Sequence, residues 1–301
     1  MAYKITKGKV EKPLLLLIYG PDKVGKSTFA ASAPDPIFIQ AEEGSNQLNV
    51  ARLESPKNFR EIMEQVAQVA AEKDYQTLVI DTLDWMQAMV FEQVCATADK
   101  MPKTIADIPF GRGYPMALIL WREFIAQLNL VRDSGKNIIL LAHSVLKKYE
   151  DPTAPQGYDR YQLQLHDGST TSKTESTADL FKQYVDVIGF ANFEVYPNAD
   201  DPRRAYGDGT RVLYTERRPA FDAGNRLSLP AKIPFSWDSF ISEANPKKGE
   251  AEIKLRAEIE SMIPKMKDEK KRLMAAEALP KKKSLGELAQ LKSKVEAEIA
   301  N

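Results

Sequence analysis

Cysteine is nearly absent. Cys95 is the single one in 301 residues, so no intrachain disulfide can form, and its place in an apolar, helix-length segment marks a structural thiol suited to a reducing compartment. Net charge is absent as well: 42 Lys and Arg balance 42 Asp and Glu. No long-range field therefore draws the whole molecule to nucleic acid or to an anionic membrane, and any contact with DNA has to be local. Long apolar runs are missing too. The longest near the start, Pro13 to Tyr19, falls far short of the roughly 18 residues that a membrane span needs, and no small-residue cleavage site follows it. It reads as a buried strand, and the expected compartment is the cytoplasm. No internal repeat is visible.

What is present is an ordinary globular composition, 43% hydrophobic and 28% charged, with enough aromatics to argue against wholesale disorder. Apolar strands alternate with amphipathic helix-length segments, the pattern of an α/β fold whose mostly parallel central sheet is flanked by helices. The expected strands are Leu14 to Tyr19, Pro36 to Gln40, Thr77 to Asp81 and Asn137 to Ala142. Helices are expected from Lys26 to about Ala31, Phe59 to Lys73, Leu83 to Ala98 and Tyr114 to Arg132, with a loop from Lys100 to Gly113. Residues 144–178 are rich in Asp, Gly, Pro, Ser and Thr and are expected to be mobile loops, with one alternating segment, Tyr161 to Leu165, of strand character. Further strands are expected at Tyr184 to Tyr196 and Arg211 to Thr215, with a turn at Phe221 to Gly224 and a finish near Phe240. Beyond Asn245 the chain turns to Ala, Glu, Lys and Leu, cut by Pro264 and Pro280. The organisation that follows is an α/β domain over 1–243 and a helical C-terminal appendage over 244–301.

The chemistry starts after the first strand, at Gly20-Pro21-Asp22-Lys23-Val24-Gly25-Lys26-Ser27, followed by Thr28. Two glycines let the backbone curl so that successive N–H groups point at one phosphate. The Lys26 ammonium then lies between β- and γ-phosphates, Ser27 ligates Mg²⁺, and the helix N-terminus adds its partial positive charge. An NTP with Mg²⁺ is the ligand this pattern calls for. The metal's second partner is an acidic residue ending a neighbouring strand, and Asp81 after Leu78-Val79-Ile80 fits.

A base to orient the attacking water is expected just after the second strand, where Glu42 and Glu43 lie, Glu42 ranked first. Asp84 competes, although its place at the start of a helix equally suits a capping or solvated role. His143 follows the fourth strand and emerges at the carboxyl edge of the sheet, facing the γ-phosphate. His166 lies in the loop region with no partner in view. That region also supplies basic and aromatic residues, Lys147, Lys148, Tyr149, Tyr158, Arg160, Tyr161 and Lys173, of the kind that neutralise phosphates and stack on single-stranded bases. Asp151, Asp159, Asp167 and Glu175 dilute the signal. Arg112, between two glycines, is a further candidate contact to DNA or to a neighbouring subunit.

Taken together, Gly20 to Thr28, Ala41-Glu42-Glu43-Gly44, Val79 to Thr82, Phe110 to Tyr114, Leu140 to Ser144 and Ala223 to Arg226 before Leu229-Pro230 resemble the RecA-like P-loop ATPases. The closest resemblance is to the phage-encoded nucleotide-binding ATPases of single-strand annealing and recombination, and it spans about residues 13–240. It implies ATP and Mg²⁺ as cofactors and single-stranded DNA as partner. In that family the glutamate after the second strand activates water, and the polar residue ending the fourth strand couples the γ-phosphate to a DNA-binding loop; Glu42 and His143 match these positions. It also implies a homo-oligomer, ring or filament, in which Arg226 resembles the basic residue that reaches a neighbour's site, and a host bacterial cytoplasm where a single-strand-binding or replication protein is a further partner. The Glu42-Glu43-Gly44 sequence departs from the family's single acid followed by two glycines, which leaves the register of the base open. Two other readings remain at this stage: a motor or loader ATPase that acts on a protein through the C-terminal helices, and a nucleotide-gated binding module with little hydrolysis.

Overall fold

The computed structural model describes residues 7, 8, 10–41, 47–168, 175–197, 205–281 and 285–300. In chain order the elements are β1 (Leu15–Gly20), α1 (Lys26–Ala31), β2 (Pro36–Gln40), β3 (Ala51–Arg52), α2 (Phe59–Ala71), β4 (Thr77–Asp81), α3 (Leu83–Thr97), α4 (Gly113–Asp133), β5 (Asn137–Asp151) and β6 (Ala154–Leu163). They continue with α5 (Thr177–Tyr184), β7 (Val187–Phe193), β8 (Tyr196–Pro197), β9 (Ala205–Tyr206), β10 (Arg211–Tyr214), β11 (Gly224–Asn225), β12 (Lys232–Pro234), α6 (Trp237–Ala244), α7 (Pro246–Met262), α8 (Glu269–Ala278) and α9 (Leu285–Ala300).

The main sheet has the order β12-β10-β7-β1-β5-β4-β2-β3. From β7 to β3 every neighbouring pair is parallel, while β10, β11 and β12 add antiparallel strands at one side. This is the mostly parallel, helix-flanked sheet of an α/β P-loop NTPase. Strand alternation explains why β1 is apolar throughout. Leu15, Leu17 and Tyr19 enter the core on one face with Val66, Val90, Trp121 and Phe124 of α2, α3 and α4. Leu16 and Ile18 enter the other with Phe29 of α1 and Phe240 of α6. All six β1 residues are buried, and truncating one such leucine to alanine costs about 2–5 kcal/mol. Pro264 and Pro280 do interrupt the C-terminal helices, where Ile259, Met266, Leu288, Leu291 and Val295 form an apolar cluster of their own. Among the described residues no helix is long and apolar enough to cross a membrane.

The expectation of mobile loops from residue 144 is overturned for its first half. β5 does not stop at Ala142 but runs to Asp151, turns, and returns as β6 in an antiparallel hairpin with Leu146 opposite Tyr161, Lys147 opposite Arg160 and Tyr149 opposite Tyr158. Its residues are polar because most of the hairpin stands outside the two-sided core, so apolar alternation gives it no signature. Cross-strand hydrogen bonds hold it instead, and its base is tied down where the Tyr161 N–H donates to the Ala220 carbonyl at 2.8 Å. The expected strand from Tyr184 to Tyr196 is likewise shorter, because Tyr184 closes α5 and the main-sheet strand runs Val187–Phe193.

Candidate nucleotide site

The carboxyl edge of the parallel strands carries the site. Gly20 ends β1 with its Cα so near β7 that a Cβ there would stand 2.1 Å from the Ala191 carbonyl oxygen, so only glycine allows the two strands to approach. The chain then turns through Pro21, Asp22, Lys23 and buried Val24 to Gly25, whose φ of 102° is left-handed and favours glycine. The next residue, Lys26, opens α1 with its side chain folded back, Nζ donating to the carbonyls of Gly20 and Pro21 at 3.0 Å each. The ammonium is buried and held over the concave side of the loop. Asp22, Lys23, Gly25, Lys26, Ser27 and Thr28 all line a cleft of about 690 Å³.

Ser27 and Asp81, 54 residues apart in sequence, meet here: the Ser27 hydroxyl donates to Asp81 Oδ2 at 2.7 Å. The meeting follows from strand order. β4 is separated from β1 only by β5, and both strands end at the same edge. A hydroxyl and a buried carboxylate are hard oxygen donors that suit Mg²⁺. Among the described residues no group of three or more His, Cys, Asp and Glu gathers into an all-protein cage. When bound, Mg²⁺ would neutralise charge on the β- and γ-phosphates; Ser27 and Asp81 are the residues that would hold it.

His143 lies opposite Gly20 in the β1–β5 register and lines the same cleft. Its ring is fixed by a residue to which the sequence assigned only a competing role. Asp84, in the first turn of α3, accepts the His143 backbone N–H at Oδ1 and contacts ring Nδ1 through Oδ2, both at 2.8 Å. Burial raises the Asp84 pKa, but the hydrogen bonds from His143 outweigh it and hold the carboxyl below the usual aspartate value. On the ring's other side Nε2 is 3.4 Å from Oδ1 of Asp22, a P-loop residue with an exposed side chain. Arg211, expected from the sequence only as the first residue of a strand, enters from the side of the sheet away from His143. It opens β10 at the carboxyl edge, with Nη1 3.5 Å from the Val24 carbonyl, and lines the cleft. The only local signal for it is a charged residue opening an apolar strand.

Other expected residues lie elsewhere. Glu42, Glu43 and Lys173 lie outside the described residues. Arg160 is corrected: it is no phosphate-seeking loop residue. Its side chain is 4% exposed, and Nη2 lies 3.3 Å from Asp222 Oδ1 and donates to the Phe221 carbonyl at 3.1 Å. The guanidinium sits over the Tyr149 ring, 4.6 Å from its centroid, so it ties the hairpin to the body. Lys147 pairs with Asp167, whereas Lys148 is exposed on the hairpin. Arg112 is exposed beside the ring of Phe110, itself 90% exposed, and does not line the cleft. Arg226 follows β11, which pairs with the first residues of β7, so it stands at the amino edge of the sheet, away from its own cleft. There it reaches Asp186 at 3.4 Å and the Gln183 carbonyl at 2.8 Å. His166 has a partner after all: its ring stacks on Tyr114 with centroids 4.0 Å apart.

Comparison with known proteins agrees with this geometry. The SPbeta prophage-derived uncharacterized protein YorG of Bacillus subtilis (strain 168) is 24% identical over 164 residues, covering 52% of this chain. The matched part spans about half, 48%, of YorG's own length. The family model described as AAA domain matches residues 12–227, a span that runs from the strand entering the P-loop to just beyond β11. The chain belongs to the AAA domain family of P-loop ATPases.

Proposed function

We propose that this protein binds ATP with Mg²⁺, hydrolyses it, and works on single-stranded DNA in phage recombination or replication. The observation that carries the reading is the convergence, in one cleft, of the P-loop with Lys26, the Ser27–Asp81 pair and His143. Lys26 holds the terminal phosphates, Ser27 and Asp81 hold the cation, and Glu42, or Glu43, orients the attacking water. His143 contacts the γ-phosphate. Because β5 continues without a break from His143 to Asp151, displacement of the ring at the cleft is carried along the strand to the hairpin. Lys147 and Lys148 on the hairpin are offered to DNA, and Lys173 and Arg112 are further contacts in the same reading.

A homo-oligomer, ring or filament, belongs to the same reading. Arg226 cannot serve its own cleft from the opposite sheet edge, so its catalytic use is in a neighbour's. The experiment is ATP hydrolysis by the purified protein with and without single-stranded DNA, with Lys26→Ala as the blank. DNA-stimulated turnover that disappears in the blank supports the reading; turnover indifferent to DNA refutes its DNA half, and no turnover refutes the hydrolytic half.

One observation favours a second reading, an ATPase that loads or moves a protein partner. Met266, Met274, Leu291 and Val295 line an open groove of about 560 Å³ between α8 and α9, and Met274 is 61% exposed. Deleting residues 246–301 abolishes function under this reading and leaves DNA-stimulated turnover intact under the first.

A further inference from the structure

We propose that Asp84 is a positioning residue that fixes the His143 ring so that Nε2 is presented to the terminal phosphate of a bound nucleoside triphosphate. The inference rests on the reading of the cleft as a nucleotide site and adds to it the means by which the site distinguishes a triphosphate from a diphosphate. Three features of the geometry carry it.

The first is how completely the carboxylate is committed. An acid in the first turn of a helix ordinarily faces solvent or the helix's own N–H groups. The Asp84 side chain is 4% exposed, and each of its oxygens meets a different atom of one residue on another element. The second is which ring atom is held. With Nδ1 against Asp84 Oδ2, the ring can neither flip nor turn about its Cβ–Cγ bond without breaking a buried contact, and Nε2 is the nitrogen on the P-loop side. The third is what Nε2 faces: Oδ1 of Asp22 on the P-loop, 3.4 Å away on a side chain that is 80% exposed. An imidazolium donates at both nitrogens, to Asp84 through Nδ1 and to an anion at the mouth of the P-loop through Nε2, and a phosphate oxygen offers that second donor the same acceptor chemistry as a carboxylate. A ring oriented in advance loses less entropy when it makes that bond.

The test is the ratio of affinities for a non-hydrolysable ATP analogue and for ADP, both with Mg²⁺, measured by calorimetry on the full chain. Four proteins are compared with wild type: Asp84→Ala, Asp84→Asn, His143→Ala, and the Asp84→Ala/His143→Ala double variant. The asparagine variant is isosteric and keeps both contacts, its carbonyl oxygen accepting the His143 backbone N–H and its amide N–H donating to Nδ1 of the Nε2–H tautomer, so the ring stays positioned with a donor toward the phosphate. We expect the ratio to fall about tenfold, equivalent to ~1.4 kcal/mol, in Asp84→Ala and His143→Ala and to stay within about threefold of wild type in Asp84→Asn, with ADP affinity unchanged within about twofold throughout. The double variant falls no further than His143→Ala. Loss of both nucleotides to the same degree would mean a merely structural Asp84 and overturn the proposal. So would an asparagine variant that loses as much as Asp84→Ala, since the charge of the carboxylate rather than the position of the ring would then be what matters. Failure of wild type to bind either nucleotide would instead overturn the underlying reading of the cleft.

Discussion

Replacing Arg160 by alanine separates a structural arginine from a DNA-binding one. The guanidinium loses an ion pair at 3.3 Å to Asp222, a hydrogen bond at 3.1 Å to the Phe221 carbonyl, and its position over Tyr149. Removing one partner of a buried pair costs about 3–5 kcal/mol, since the other charge is left uncompensated. Here Asp222 is 26% exposed and keeps Lys182 at 3.2 Å, which places the cost at the lower end, about 3 kcal/mol. At about 2–4 °C per kcal/mol for a domain of this size, the melting temperature should fall by roughly 6–12 °C in a calorimetric scan. Lys148→Ala, an exposed change on the same hairpin, should stay within about 0.5 kcal/mol of wild type and weaken single-stranded DNA binding instead. An Arg160→Ala protein that melts with wild type but no longer binds DNA would refute the structural assignment.

Three further outcomes are expected. Trp85 is half exposed on the wall of the cleft while Trp121 and Trp237 are buried, so adding nucleotide should change tryptophan emission, and Trp85→Phe should remove that change while binding persists. Gly20→Ala should destabilise by about 1–3 kcal/mol or more, because its Cβ meets backbone, the Ala191 carbonyl at 2.1 Å; for the same reason Ala191→Gly should fail to rescue it in a thermal melt. Burial lowers the His166 pKa below its ordinary value, against a smaller raising effect of Asp167. The stability linked to its neutral ring is therefore fully present above the unfolded pKa of about 6.5 and is lost as pH falls through the lower folded value. Melting temperature should drop more between pH 7.5 and 5 in wild type than in His166→Phe, which keeps the stack on Tyr114, and equal drops would contradict the assignment.

Local chemistry alone determined the frame of this protein. A six-residue run buried on both faces has to be a central strand, Gly20 and Gly25 bracket a turn of the kind that phosphate-binding loops use, Asp81 closes an apolar strand, and Pro264 and Pro280 cannot continue a helix. Each of these signals is carried by residues close together in the chain, so it is visible before folding. What the cleft does with them was decided by tertiary structure. Asp84 and His143 are 59 residues apart and Arg211 lies 187 from Val24. Only the order β10-β7-β1-β5-β4 brings their strand ends to one edge. Arg160 shows the converse. In sequence it is one basic residue among polar neighbours, indistinguishable from Lys148. Its burial depends on Asp222, 62 positions on, being folded beneath the hairpin. Contacts at such separations leave no periodicity behind, and the side chain's chemistry is set by which partner the fold delivers.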